Sequence, residues 1–189
     1  MVVNQDIDNA EKAVRYGVPF KLRHVASGSV LHSHYSNYSS GSYQQEVGCY
    51  ESNDINDWWI VKGPSGTDLW NCSIGEPVLN NSIIRLYHVG TRKYLRSDHW
   101  HFSPTSYQQE VMCDGECDNR DDNDDWKLEI EGANPADPWL GEQKVFLIHV
   151  NTGLALRSNF GKYINSLQQE VSCHFGKDIN GFWRVESMA

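Results

Sequence analysis

Histidine recurs at one matching position in three stretches of the chain, in the frame Leu-x-His-Val followed by Leu-x-Ser. The stretches read FKLRHVASGSVLHSH from Phe20, IRLYHVGTRKYLRSD from Ile84 and VFLIHVNTGLALRSN from Val145. Three imidazoles that met at one point could bind a metal ion. Because each lies between apolar neighbours, we predict instead buried histidines that hydrogen-bond within their own unit, and no metal site. The matching residues are His24, His88 and His149.

Aromatic and further imidazole side chains cluster in the segments LHSHYSNYSSGSY and DHWHFSPTSY, where the stretches differ from one another. Aromatic faces beside short polar groups suit sugar rings or extended peptides. The alternative is a pair of ordinary surface loops whose tyrosines pack sideways. The candidate ligand surface comprises His32, His34, Tyr35, His99, Trp100 and His101.

A second motif, QQEV-x-Cys, occurs three times, 64 and then 60 residues apart. A catalytic motif needs one copy, so three copies at near-equal spacing indicate a repeat architecture. Its Val and Cys share a face of a strand, which predicts small buried hydrophobic side chains. Each unit closes with Asp-x-Asn-[Asp/Gly]-x-Trp. The repeated structural residues are Cys49, Cys113, Cys173, Trp59, Trp126 and Trp183.

No sequence motif of catalysis stands out in the chain. The motifs G-x-S-x-G and H-E-x-x-H are absent, and so is a phosphate-binding loop. We therefore predict no enzyme activity, no catalytic residue and no cofactor.

The composition excludes several classes of partner. The 189 residues carry a net charge of −9, which disfavours nucleic acid and anionic membrane surfaces. No apolar run approaches the ~20 residues of a membrane span, so we predict no membrane insertion. The segment MVVNQDIDNAEKAVRYG lacks the regions of a signal peptide. Three Asn-x-Ser sequons favour a secretory compartment weakly, and these candidate N-glycosylation sites are Asn37, Asn71 and Asn80.

The repeats predict an all-β fold of three units, each with about four short strands. The units span residues 12–66, 75–132 and 137–189. No unit can bury its apolar face alone, and closure of the three on one another also removes exposed strand edges. We therefore expect a single domain with a β-trefoil of about twelve strands. The alternative is a three-bladed array, which would close poorly.

The ordered motifs Leu-x-His-Val, Leu-x-Ser-His, Gln-Gln-x-Val and Asn-x-x-Trp resemble the MIR motif. This motif is shared by protein O-mannosyltransferases and by the inositol trisphosphate and ryanodine receptors. Three copies in about 190 residues look most like the stromal cell-derived factor 2 family, and YGVPFKLRHVASGSVLHSHYSNYSSGSYQQEV carries the best match. Units two and three read LRSD and LRSN where LHSH is usual.

The resemblance implies a β-trefoil protein of the endoplasmic reticulum lumen that has no enzyme activity of its own. It implies a part in protein quality control, with a luminal Hsp40-type cochaperone and Hsp70 as partners and unfolded or O-mannosylated proteins as clients. Two alternatives stay open. One is a carbohydrate-binding trefoil lectin, and the other is the luminal MIR module of a protein O-mannosyltransferase.

Overall fold

Twelve β-strands and three 3₁₀ turns make up the computed structural model, which describes residues 12–51, 53–67, 74–116 and 121–189. The first unit holds β1 (Pro19–His24), β2 (Val30–Asn37), β3 (Gln45–Tyr50) and β4 (Trp59–Lys62). The second holds β5 (Ile83–His88), β6 (Lys93–Phe102), β7 (Gln109–Glu116) and β8 (Trp126–Ile130). The third holds β9 (Val145–His149), β10 (Ala155–Lys162), β11 (Gln169–His174) and β12 (Trp183–Met188). The 3₁₀ turns are Ile55–Asp57, Asp122–Asp124 and Ile179–Gly181.

The strands close into a ring through pairings that alternate within and between units. β1 pairs with β4 and β12, β12 pairs with β9, and β9 pairs with β8. β8 then pairs with β5, and β5 pairs with β4, which completes the ring. The hairpins β2–β3, β6–β7 and β10–β11 extend from it, and β3, β7 and β11 pair with one another. All twelve strands therefore belong to one sheet.

The expectation of a β-trefoil is corrected by this topology to a closed β-barrel. The edge strands of each four-stranded unit donate and accept their free backbone hydrogen bonds across the unit boundary, so no unit keeps a sheet of its own. The all-β, single-domain part of the expectation is confirmed, and so is the number of strands. Among the described residues, no helix is long and apolar enough to cross a membrane.

The core is built from the repeated Leu, Val, Cys and Trp side chains. Each closing strand starts with a tryptophan that is completely buried. A buried indole N–H needs an acceptor, and Nε1 of Trp126 donates to the carbonyl oxygen of Leu95 at 2.9 Å. The other two tryptophans make the same bond to Leu31 and Leu156. In each unit, this indole hydrogen bond therefore joins the fourth strand to the second.

The repeated histidines are buried and join one unit to the next. In the second unit, Nε2 of His88 lies 2.8 Å from the carbonyl oxygen of Asn56 in the first unit, and Nδ1 lies 2.8 Å from the hydroxyl of Thr91. A carbonyl only accepts, so Nε2 carries the proton, and Nδ1 accepts from the backbone N–H of Thr91. His24 and His149 repeat this pattern with Asn180 and Asn123.

Burial lowers the pKa of each of these three histidines below its ordinary value, although the carbonyl contact opposes the shift. The folded protein therefore favours the neutral imidazole. A lowered folded pKa means that the histidine stabilises the fold fully above its unfolded pKa of about 6.5, and this contribution is lost as pH falls below that value.

We expect the substitution His88→Gln to lower the free energy of unfolding by about 1–3 kcal/mol at pH 7.5. The gap between wild type and variant should shrink between pH 7 and pH 5, because only the wild type loses the contribution of a neutral His88. Urea unfolding at each pH measures the gap. His99→Gln, at an exposed site, is the control and should leave the gap near zero throughout. A gap that widens on acidification would contradict this account.

Candidate functional site

The loops that join β2 to β3, β6 to β7 and β10 to β11 contact one another, and together we call them the hairpin cap. Nδ2 of Asn165 in the third loop donates to Oγ of Ser39 in the first at 3.0 Å. The hydroxyls of Tyr38 and Tyr163 lie 3.1 Å apart beneath them. The hairpin cap comprises residues 38–44, 103–108 and 163–168.

Glutamates of the QQEV motif fasten the loops of the hairpin cap across unit boundaries. The carboxylate of Glu110 accepts from the hydroxyl and the backbone N–H of Ser42. The carboxylate of Glu170 accepts from the hydroxyl of Ser106 at 2.6 Å and from its N–H at 3.2 Å. Gly41 has a φ of +75°, which favours glycine, and a Cβ there would lie 2.1 Å from a carboxylate oxygen of Glu110 and displace it.

One residue in each loop has a left-handed backbone although it is not glycine. Tyr43, Tyr107 and Leu167 stand at equivalent positions, two residues before the second Gln of QQEV, and each has a φ of +58°. Large side chains rarely adopt this region. All three are exposed, by 65%, 79% and 69% respectively. The hairpin cap thus exposes three bulky apolar side chains to water, and their left-handed backbone is energetically unfavourable.

Further exposed apolar side chains occur in the same three hairpins. They stand in the hairpin cap or on the strand ends that lead into it, and Trp100 is 73% exposed. Trp100, Phe102 and Tyr107 line one groove. Burial of such side chains against a partner would be favourable, and exposed apolar patches typically mark interaction sites. The additional residues are Tyr35, Phe102, Phe160 and Ile164.

The second-unit candidates lie beside an open groove of about 400 Å³. Trp100 and His101 line it on one side, and Ser40 of the first loop lines it on the other. Nδ1 of His101 lies 2.9 Å from a carboxylate oxygen of Asp98. His99 is exposed, and its ring centroid lies 4.1 Å from that of Trp100. The structure therefore groups His99, Trp100 and His101 at the rim of the hairpin cap.

The first-unit candidate His32 is buried and belongs to a charged cluster. Its Nδ1 lies 2.8 Å from the carboxylate of Asp57, which is itself fully buried. With Asp54 these groups have the spacing of a metal site. The ammonium of Lys21 lies 3.6 Å from Asp57 and 2.6 Å from the carbonyl oxygen of Asp54. Lys21 thus already supplies a positive charge there, which disfavours a metal ion.

The other two first-unit candidates differ in exposure. His34 is half-buried, and its Nδ1 accepts from the N–H of Ser36 at 3.1 Å. Burial lowers the pKa of His34. Tyr35 is 80% exposed, and its hydroxyl donates to the carbonyl oxygen of Gly90 in the second unit. The rings of His32 and His34 lie 5.3 Å apart, whereas the second-unit candidates stand on a different hairpin.

The three sequons have different surroundings. Asn37 is exposed at the end of β2. Asn80 is buried, and its Nδ2 donates to the carbonyl oxygens of Asn134 and Ala133 at 2.9 and 3.4 Å. Asn71 lies outside the described residues. A glycan attached to Asn80 would have to displace these two hydrogen bonds.

The repeated cysteines lie in the core beneath the hairpin cap. Burial raises the pKa of Cys49, Cys113 and Cys173 to about 12. Each is therefore a protonated thiol at neutral pH, and a protonated, buried thiol is a poor nucleophile.

Sequence reasoning missed the glutamate of QQEV as a residue of the site. Its signal was present, because Ser-x-Gln-Gln-Glu recurs with a serine four residues before the glutamate in every unit. The bond, however, joins the serine of one unit to the glutamate of the next. That pairing depends on how the units close and cannot be read from one repeat.

Comparison with known proteins gives a consistent family. The model of the MIR domain matches residues 30–183. The stromal cell-derived factor 2-like protein of Arabidopsis thaliana is 40% identical over 90% of this chain and 77% of its own length. The dolichyl-phosphate-mannose–protein mannosyltransferase 1 of Saccharomyces cerevisiae is 34% identical over 97% of this chain, but only 24% of that protein is covered.

Solved structures agree with these sequence matches. The crystal structure of the Arabidopsis thaliana stromal cell-derived factor 2-like protein superposes with a TM-score of 0.86 at 38% identity, covering 94% of this chain and 96% of that one. The S. cerevisiae O-mannosyltransferase Pmt1–Pmt2 complex bound to its sugar donor gives 0.82 at 31% identity, covering 94% of this chain and 25% of that one.

Substitution of a left-handed residue of the hairpin cap by glycine tests directly whether its backbone is strained. We expect Tyr107→Gly to raise the free energy of unfolding by roughly 0.5–1 kcal/mol, because relief of a left-handed backbone exceeds the extra entropy of glycine in the unfolded chain. Tyr107→Ala is the matched control, since it removes the exposed ring and keeps the strain. Urea unfolding of both variants decides the matter. A glycine variant no more stable than the alanine variant would show that position 107 is unstrained.

Proposed function

The chain belongs to the MIR-domain family, with the stromal cell-derived factor 2-like proteins as relatives over most of its length, and from this premise we propose a non-catalytic binding module. We place it in quality control in the lumen of the endoplasmic reticulum. Its proposed partners are a luminal Hsp40-type cochaperone and Hsp70, and its proposed clients are unfolded or O-mannosylated proteins.

The observation that carries this proposal is the exposed apolar surface of the hairpin cap. Trp100, Tyr107 and Ile164 are exposed by 73%, 79% and 89%, and they come from adjoining hairpins. Such a surface offers several apolar contacts without a deep pocket, which suits a protein segment better than a small metabolite. The left-handed backbone at Tyr43, Tyr107 and Leu167 gives further support, because strained residues cluster at sites of recognition.

The internal use of the repeated polar side chains supports a binding role over a catalytic one. The repeated serines donate to backbone carbonyls, as Ser97 does to Glu110 at 2.6 Å. The repeated histidines have both ring nitrogens engaged, as His88 does with Thr91 and Asn56. With the repeated thiols protonated as well, the Ser, His and Cys side chains at the repeated positions offer no activated nucleophile.

A second candidate function is carbohydrate binding. The groove beside Trp100 and His101 favours it, because an exposed indole next to hydroxyls and an imidazole is suited to the face and edge of a sugar ring. The match to a region of an O-mannosyltransferase suggests a mannosylated ligand and also the third possibility, a luminal module of such an enzyme.

The proposal is tested with a purified luminal Hsp40-type cochaperone and an immobilised chain. We expect the double variant Trp100→Ser/Tyr107→Ser to bind it at least about tenfold more weakly, since two exposed aromatic anchors are lost. Ile55→Ser is the control, because Ile55 is equally exposed, at 76%, but lies in the 3₁₀ turn Ile55–Asp57 outside the hairpin cap.

The same assay separates the candidates when a mannosyl-serine peptide is added. Cochaperone binding that is unchanged by the glycopeptide supports the protein-binding module. Displacement by the glycopeptide, with loss of glycopeptide binding in the double variant, supports the carbohydrate-binding function. Equal cochaperone binding by the wild type and the double variant would refute the hairpin cap as the interaction surface.

A further inference from the structure

The threefold pattern of the hairpin cap is broken at its centre. Strand register aligns Asn37, Phe102 and Lys162 opposite the equivalent glutamines of QQEV, so the next residues, 38, 103 and 163, are equivalent. Two of them are tyrosines and one is serine. Tyr38 and Tyr163 are buried, and both hydroxyls lie within hydrogen-bonding distance of the carbonyl oxygen of Val47.

This asymmetry changes how the three glutamates are satisfied. Ser103 directs its hydroxyl to the carboxylate of Glu170, which also accepts from Ser106 and Asn159. In the third unit the equivalent of Ser103 is Tyr163, whose hydroxyl goes to backbone carbonyls instead. Tyr38 does the same in the first unit. Glu46 and Glu110, the glutamates that positions 163 and 38 would serve, therefore lack the donor that Ser103 gives to Glu170.

One carboxylate oxygen of Glu46 is buried and accepts no hydrogen bond from the described part of the chain. Glu46 is only 7% exposed, and its Oε1 has no hydrogen-bond partner among the described residues. Burial raises the pKa of Glu46, and a hydrogen bond from Ser166 opposes the rise. A buried carboxylate oxygen without a donor is costly. Such an atom needs a donor from outside the polypeptide, which an ordered water or a ligand can supply.

A cleft of about 230 Å³ opens beside Glu46, between the three loops of the hairpin cap. Its wall includes the hydroxyl groups of Ser39, Ser40 and Thr105 and the side-chain amide of Asn165. These groups offer further acceptors around the carboxylate. None of the described residues that line the cleft is Lys, Arg or His.

The negative charge around the cleft favours a cationic hydrogen-bond donor over a neutral one. Glu110 and Glu170 are completely buried in the same cap. Burial raises the pKa of Tyr163, and the charges of Glu170 and Glu46 add to the rise. With no basic side chain among its lining residues, the cleft concentrates negative charge. An ammonium group has three donors and a compact positive charge. It can therefore donate to Oε1 of Glu46 and also offset the negative charge around the cleft.

We propose that the cleft beside Glu46 binds a primary alkylammonium group, with the ammonium donating to Oε1 of Glu46 and to the surrounding hydroxyls. A lysine side chain of a polypeptide and a small free amine share this chemistry. The inference rests on the cleft alone and requires none of the partners proposed above.

The test measures the binding of three probes to the full chain. Calorimetry gives the affinity, and chemical shifts of the loop amides locate the bound probe. The probes are a short peptide with one lysine, the same peptide with that lysine Nε-acetylated, and n-butylammonium. We expect the free-amine peptide to bind at least about tenfold more tightly than its acetylated form, because acetylation removes the charge and two of the three donors. Shifts should centre on residues 38–40 and 163–165.

Two variants and a control locate the binding. Glu46→Gln keeps the shape and removes the charge, and we expect at least about a tenfold loss of affinity. Asn165→Trp obstructs the cleft from an exposed loop position and should weaken binding similarly, which covers the case in which Glu46→Gln fails to fold. Glu131→Gln, an exposed carboxylate outside the cap, is the matched control and should bind like the wild type.

Each outcome decides between support and refutation. Binding of n-butylammonium alongside the lysine peptide identifies a small-amine site, whereas binding of the lysine peptide alone identifies a polypeptide site, and both support the alkylammonium assignment. Equal binding of the free and acetylated peptides, no binding of any probe, or full binding by both variants would overturn it.

Discussion

The closed arrangement of the three repeats depends on hydrogen bonds that begin in one repeat and end in the next. The glutamine that precedes the glutamate of each motif shows this, because Nε2 of Gln45 donates to Thr91 of the second unit and Nε2 of Gln109 donates to Thr152 of the third. The histidines and glutamates cross the same boundaries in the same way. A polar group buried this deeply is costly when its hydrogen bonds are not made. The three units therefore order one another, and none can satisfy its own polar core alone.

This constraint explains why residues at equivalent positions of the three units are of the same type. It also explains why candidate binding residues occur where the units differ. Most repeated side chains serve the same internal bond three times, which leaves them unavailable to a ligand. Glu46 is an exception, because Tyr163 stands where Ser103 supplies a donor to Glu170. Trp100, exposed on β6, and Ser103, which replaces a tyrosine at the centre of the cap, depart from the threefold pattern. The proposed binding surface and the amine cleft both arise from such departures.

Much of the fold could be predicted from the sequence because its signals are local. Hairpin turns, alternating apolar residues and the closing Asp-x-Asn motif gave the all-β domain and its twelve strands. The β-trefoil had to be corrected to a closed barrel, because the pairing of edge strands depends on the assembly of the units. Sequence also placed His32 on a ligand surface. In the structure the 3₁₀ turn Ile55–Asp57 packs over β2 and buries it against Asp57.

The most direct test of mutual ordering is native-state hydrogen exchange of the backbone amides in β3, β7 and β11. These strands pair with one another, and each carries the glutamine and glutamate of its unit. If the units order one another, protected amides in all three strands should exchange only through global unfolding, with one shared free energy and the same dependence on denaturant. A single unit whose amides exchange through a lower, separate opening while the other two stay protected would contradict this account.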